Sequence, residues 1–315
     1  MIGVDWGTSN FRAYRLAEDG TILDRRAAPG GILRVADGRF AEALEAEIGA
    51  WLGAGEDRVL LSGMIGSRQG WQEAPYVPCP AGIAELAGAV SEVPFEGATI
   101  RLVPGVSSAD PDRVPDVIRG EETKIVGLGI APGEGGLACL PGTHTKWVRV
   151  QDERIAGFAT EMTGELFGVL REHSILGRMM LPGPLDWAAF DRGLTRSGES
   201  GGLLHQLFGV RALGLFGRLA ETEAASYLSG LLIGHEVRAA MPKGAPKAGP
   251  ETAPEKAIVH LVGEPALTRQ YARAIAFCGG TPRLGDEDAA ARGLAAIGAA
   301  IGWGGAAVRA KAAGA

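Results

Sequence analysis

Short alternating runs of apolar and polar residues open the chain, and the period switches from strand to helix near residue 40. Ile2-Gly3-Val4 leads through Asp5 and Trp6 into the turn Gly7-Thr8-Ser9-Asn10, and Phe11–Leu16 follows as a second strand, which predicts a β-hairpin. Residues 21–27 make a third strand, entered through Glu18-Asp19-Gly20. Phe40, Leu44, Ile48, Trp51 and Leu52 then fall on one face of a helix over 39–52, with Gly53 and Gly55 as stops. Arg58–Ser62 is apolar on both faces, the mark of a buried parallel strand, and runs into a long irregular stretch, 63–80. A short helix over 81–90, a strand over 99–103 and a helix from Gly120 through Ile125, Val126 and Leu128 complete this half.

The order then returns. Strands are predicted at 136–140, 146–150 and 154–160, and the first two flank Pro141-Gly142-Thr143-His144-Thr145. Helical patterns cover 164–173 and much of 203–241. A strand at 257–263, a helix at 265–277, a strand at 281–284 and a helix opened by Asp286 and Asp288 follow. Pro242, Pro246, Pro250 and Pro254 punctuate 241–256, which predicts a solvated loop. Two copies of strand, strand, strand, helix, strand, helix, strand, helix resemble the plan of the actin-like ATPases. That plan implies an α/β chain of two actin-like (ribonuclease H-like) domains, here 1–130 and 131–315, facing a nucleotide cleft.

Composition narrows the partners. The chain has 315 residues, 46% of them hydrophobic, enough for two well-buried cores. Net charge is −6 and no basic run occurs, so the electrostatic footprint of a nucleic-acid binder is missing. Cys79, Cys139 and Cys278 are too scattered for a metal set or a disulfide framework and are expected as reduced core residues. No apolar run reaches membrane-spanning length, and the expectation is a cytoplasmic protein with small-molecule partners and no membrane contact. The oligomeric state stays open, a homodimer included.

The turns carry the candidate chemistry. Gly7 lets backbone approach an anion, and the amides and hydroxyls of Thr8 and Ser9, with Asn10 beside them, can donate to it. Asp5 repels phosphate, so its partner would be a Mg²⁺ that accompanies the phosphates. Taken alone, the motif reads as a ligand-free hairpin, because Asp-x-Gly turns close many of them. Sugar kinases of the actin-like superfamily hold phosphates on two such turns and adenosine at a glycine after a late strand. By that resemblance Gly142, Thr143, His144, Thr145 and Lys146 form the second turn, and Gly263 and Glu264 the adenosine site. His144 and Lys146 also fit a backbone-satisfied turn and a solvated strand start. Transfer to an alcohol further needs a carboxylate that orients the hydroxyl and accepts its proton. Gly120-Glu121 is similar in context to the Gly-Asp of related kinases. Glutamate reaches one methylene further, and Asp116 is the alternative.

Longer motifs are more specific. Gly63-Met-Ile-Gly-Ser-Arg-Gln-Gly-Trp71, Ala74-Pro-Tyr-Val-Pro-Cys-Pro80, Arg119-Gly-Glu-Glu-Thr123, Pro141-Gly-Thr-His-Thr-Lys-Trp147 and Met162-Thr-Gly-Glu-Leu-Phe167 resemble the 2-dehydro-3-deoxygalactonokinase family. The resemblance implies ATP-dependent phosphorylation of 2-dehydro-3-deoxy-D-galactonate to its 6-phosphate, with ATP and Mg²⁺ as cofactors. For such a sugar acid, Arg68 offers a fork to the carboxylate, Gln69, Trp71 and Tyr76 offer donors and a stacking face, and Glu165 can accept a hydroxyl. The rivals are a kinase for another sugar or sugar acid and a non-catalytic nucleotide switch.

Overall fold

The computed structural model describes residues 1–110, 112–131, 136–241 and 257–304; the Pro-rich stretch predicted as a loop lies outside them from residue 242. The first part of the chain runs β1 (Ile2–Trp6), β2 (Phe11–Leu16), β3 (Ile22–Ala28), α1 (Phe40–Gly53), β4 (Arg58–Ser62) and β5 (Tyr76–Pro78). It continues through α2 (Ile83–Gly88), β6 (Ser91–Val93), β7 (Thr99–Leu102), β8 (Gly105–Ala109), β9 (Pro115–Ile118) and α3 (Glu121–Leu128). Next come β10 (Gly136–Leu140), β11 (Thr145–Gln151), β12 (Arg154–Glu161), α4 (Thr163–His173), α5 (Trp187–Ser197) and α6 (Gly202–Leu215). The last elements are α7 (Ala224–Ala240), β13 (Ile258–Leu261), α8 (Pro265–Phe277), β14 (Thr281–Leu284) and α9 (Ala289–Ala300).

Contacts divide the chain into two units. One holds Met1–Gly135, Val148–Ala159 and Gly285–Ala315, and the other Gly136–Trp147 and Thr160–Leu284. The sheet orders β3-β2-β1-β4-β7-β6 and β12-β11-β10-β13-β14 repeat one arrangement: a meander whose first strand pairs with a later, parallel one. That repeated order is the actin-like plan the periodicity implied. A third sheet, β5-β8-β9, was not legible in the pattern because its strands are only 3–5 residues long.

In the first unit β1 is buried along its whole length, between β2 (antiparallel) and β4 (parallel). The predicted face of α1 (Phe40, Leu44, Ile48 and Trp51) joins Val4, Trp6, Val59 and Leu61 in one core. Helix α9 lies against Gly3, where a Cβ would stand 3.0 Å from the Leu294 side chain. Helices α3 and α9 meet so closely that a Cβ on Gly127 would fall 1.7 Å from Ala289 O, and one on Gly293 1.8 Å from Thr123 O. These contacts fix α3, and with it the residues at its start. In the second unit α7 packs on α5 through Gly230 and Gly193 in the same way. Helix α5 was not among the predicted elements. Cys139 is buried as expected, whereas Cys79 and Cys278 are half-buried; all three are free thiols. Among the described residues no helix is long and apolar enough to cross a membrane.

Candidate functional site

The first unit gathers three chain segments at one corner. Asp5, near the end of β1, is opposite Arg12 on β2 and Ser62 on β4. Gly63 follows β4 with φ +100°, and a Cβ there would sit 2.7 Å from Trp6 O. Gly120 precedes α3 with φ +102°; its Cβ would lie 2.9 Å from the Gly63 Cα and 3.9 Å from Asp5 Oδ1. Only glycine meets both demands, a left-handed backbone and no side chain. The start of α3 therefore settles directly over the Asp5 carboxylate.

Helix α3 then furnishes three ionisable groups. Lys124 Nζ is 3.3 Å from Asp5 Oδ2. The Asp5 carboxylate, helped by Glu121, holds the ammonium pKa above its ordinary value despite burial. Glu121 stands at the helix start and accepts from the Arg119 backbone N–H at 2.9 Å. Glu122 is completely buried. It accepts from Gly120 N at 2.7 Å and from the hydroxyls of Thr123 at 3.2 Å and Ser62 at 3.4 Å. Burial, with Glu121 adding repulsion, pushes its pKa up to about 7. Sequence reasoning gave Glu122 no part in the chemistry, because an acid in the first turn of a helix is already accounted for by the macrodipole. Asp116 lies on β9, with Oδ1 accepting from Val117 N.

The first turn rises beside this corner. Gly7 N donates to Asn10 O at 2.9 Å and closes the hairpin. Thr8, Ser9 and Asn10 are exposed. The turn is braced by Ile32 N on Gly7 O at 3.0 Å and by Gly31, where a Cβ would fall 2.1 Å from Thr8 O. Its free face is thus rigid and rich in donors, as an anion cradle requires.

The long loop after β4 is more ordered than predicted, with a 3₁₀ turn over Met64–Gly66. Arg68 is exposed and ion-paired to Glu73 at 2.9 Å, which raises its pKa. Gln69 is exposed, and Trp71 is half-buried with its ring edge-to-face on Phe95. The Tyr76 ring lies 4.2 Å from the Arg119 guanidinium carbon.

The second unit holds the other turn against the first turn of α4. A Cβ on Gly164 would be 2.4 Å from Gly142 O, Glu165 N donates to Thr143 O at 2.9 Å, and the His144 ring is hydrogen-bonded to the Glu165 carboxylate. Thr143 and His144 are exposed, and Lys146 is buried with Nζ 3.4 Å from His144 O. Thr145 is buried too. Its hydroxyl is 2.8 Å from Tyr271 Oη, which donates to Glu236 at 2.7 Å, as does Trp147 Nε1. Burial raises the pKa of both Glu236 and Tyr271. Gly263 abuts the turn, its Cβ position 3.2 Å from Pro141 O. Glu264 caps α8 by accepting from Ala266 N and Leu267 N, which lowers its pKa. A cavity of about 240 Å³ adjoins the turn, lined in part by Gly142, Thr163, Ser226, Ser229, Gln270 and Tyr271.

Comparisons with known proteins agree on one family. A family model described as 2-keto-3-deoxy-galactonokinase matches residues 5–297. A Rhizobium meliloti (strain 1021) protein named a probable 2-dehydro-3-deoxygalactonokinase is 38% identical over 304 residues, 95% of this chain and 96% of that protein. The Escherichia coli (strain K12) 2-dehydro-3-deoxygalactonokinase is 34% identical, covering 88% of this chain and 90% of its own. A crystal structure of a Sinorhizobium meliloti protein assigned provisionally to the same activity superimposes with a TM-score of 0.83 at 37% identity, covering 96% of this chain and 99% of that one.

Proposed function

The chain belongs to the 2-keto-3-deoxy-galactonokinase family, and on that basis we propose that it transfers the γ-phosphoryl group of ATP to the terminal hydroxyl of 2-dehydro-3-deoxy-D-galactonate, a step of galactonate breakdown. The observation that carries the mechanism is the corner itself: Glu121 opens α3 immediately after Gly120, the glycine packed over Asp5, and the donor-rich turn begins two residues beyond Asp5. Phosphoryl transfer asks a protein mainly for positioning and charge stabilisation, with a base that takes the alcohol proton as the new bond forms. Glu121 is that base in this proposal, and Asp116 the alternative.

The remaining parts divide by unit. Gly7, Thr8, Ser9 and Asn10 on one turn and Gly142, Thr143, His144 and Lys146 on the other take the phosphates, and the cavity beside Gly142 takes the nucleoside, with Gly263 at its edge. Thr145 contributes through its backbone, since its hydroxyl is committed to Tyr271. Glu264 contributes by capping α8. Tyr76 and Gln69 take the sugar acid in the first unit, and Glu165 acts through His144 in the second.

Among the described residues no three His, Cys, Asp or Glu side chains cluster as a metal site. Mg²⁺ needs less than that, because it keeps waters and substrate phosphates as ligands and takes one or two carboxylates from the protein. Asp5 fits as that single carboxylate, sharing its charge with Lys124. The ion would neutralise charge on the phosphates. A coupled assay of ADP release over 2-dehydro-3-deoxygalactonate, its gluconate epimer, hexoses and glycerol tests the whole proposal. The galactonate-derived acid should give the highest kcat/KM, and ADP release indifferent to every acceptor would refute it.

A further inference from the structure

Arg119 leaves two buried nitrogens without a partner, where Arg15 and Arg154 leave one each and the other charges packed inside the first unit are paired. Lys124 is paired with Asp5, the N-terminal ammonium of Met1 with Glu56 at 3.2 Å, and Glu122 with a backbone N–H and hydroxyls. Arg119 is only 7% exposed, and one of its nitrogens, Nη2, donates to Ala74 O at 2.8 Å. Its Nε and Nη1 are buried with no hydrogen-bond acceptor among the described residues. The Tyr76 ring stacked on the guanidinium attracts the cation through its face but accepts none of the in-plane N–H bonds. A guanidinium stays charged in a protein, so burying it with unmet donors is costly unless an anion completes it.

We infer that Arg119 binds the carboxylate of the sugar acid, with the Tyr76 ring as its movable cover; this rests on the sugar-acid kinase assignment above. Position supports it, because the Arg119 backbone N–H already holds the carboxylate of Glu121, the proposed base. Stoichiometry supports it as well. Nη2 keeps a second proton after bonding Ala74 O, so Nε with Nη2, or Nη1 with Nη2, presents a two-donor fork to both oxygens of a carboxylate. The cover over this fork is thin. Tyr76 is 40% exposed on the three-residue strand β5, and its ring rests on Gly105, where a Cβ would strike it at 2.6 Å. On another side stands Gly66, whose missing Cβ would lie 3.0 Å from Nη1. Arg68, by contrast, is exposed and already paired with Glu73, so the carboxylate role expected for it passes to Arg119 in this proposal.

The test is a cycle between side chain and substrate. ADP release is measured for the wild type, Arg119→Gln, Arg119→Lys and Gly66→Ala, with the sugar acid and with its neutral carboxamide. The wild type should prefer acid to amide. Arg119→Gln should raise the KM for the acid by about 10–100-fold and for the amide by under threefold, so that the preference collapses, with Arg119→Lys between. Gly66→Ala, which crowds Nη1 and leaves the charge, should erode the preference several-fold and keeps the test alive if the Arg119 variants fail to fold. An equal loss on acid and amide in any folded variant would mark Arg119 as a packing residue and overturn the inference, as would a wild type that treats acid and amide alike. Acceptor-independent ADP release by the wild type is the different result that removes the kinase assignment itself.

Discussion

Replacing Glu122 by glutamine should make the protein's stability less dependent on pH. The carboxyl is completely buried and its pKa is raised to about 7 from an ordinary 4.5. Between those two values the folded state holds the proton and the unfolded chain has lost it. Wild-type stability attributable to this group is therefore fully present below pH 4.5, falls as pH rises through 7, and is level above. The change is about 3 kcal/mol at 1.36 kcal/mol per pKa unit. Glutamine keeps the shape and stays neutral. Its carbonyl can accept from Gly120 N, now 2.7 Å from the carboxylate, and its amide can donate to the Ser62 and Thr123 hydroxyls. Urea unfolding followed by tryptophan fluorescence at pH 4.5, 5.5, 6.5 and 8 reads the difference. The variant should match the wild type within about 1 kcal/mol at pH 4.5 and exceed it by up to about 3 kcal/mol at pH 8. Groups common to both proteins cancel in that difference. Parallel profiles for the two proteins would refute the claim that a buried, proton-binding carboxyl sits under the start of α3.

Glu121→Gln should lower kcat by about 10²–10⁴-fold with both substrates saturating, since the base acts only as the bond to phosphorus forms, and Asp116→Asn should be mild. The reverse pattern would move the base to Asp116. Tyr271→Phe removes a donor to the buried Glu236 and the partner of the Thr145 hydroxyl, and should cost about 1–3 kcal/mol in urea unfolding; an unchanged midpoint would mean that Trp147 and Thr163 satisfy the carboxylate without it. Gly164→Ala forces a methyl to within 2.4 Å of Gly142 O, so the second turn must shift, and the KM for ATP should rise by about tenfold or more beside a stability loss of about 1–3 kcal/mol. An unaltered KM for ATP would detach that turn from the nucleotide.

Local pattern sufficed for much of this molecule. The apolar run of β1 and the strand that follows its turn, the 3.6-residue spacing of Phe40, Leu44, Ile48 and Trp51, and the doubly apolar run of β4 are each set by neighbours within one element, and the structure has them as predicted. The two glycine-bearing turns were legible for the same reason. The short strands of the third sheet were not, because three to five residues carry too little period to register. What only the tertiary structure decided is which charged side chains are free to act. Arg68 and Arg119 are alike in sequence, yet one is exposed beside Glu73, five residues on, and the other is buried against Ala74, 45 residues away, with donors unmet. Glu121 and Glu122 are adjacent, yet Glu122 is sealed in by Ser62, 60 residues distant, and only then acquires a pKa near 7. Thr145 belongs to a turn motif and still spends its hydroxyl on Tyr271, 126 residues on. Desolvation and pairing depend on atoms brought together from far along the chain, and no period or local spacing encodes that distance.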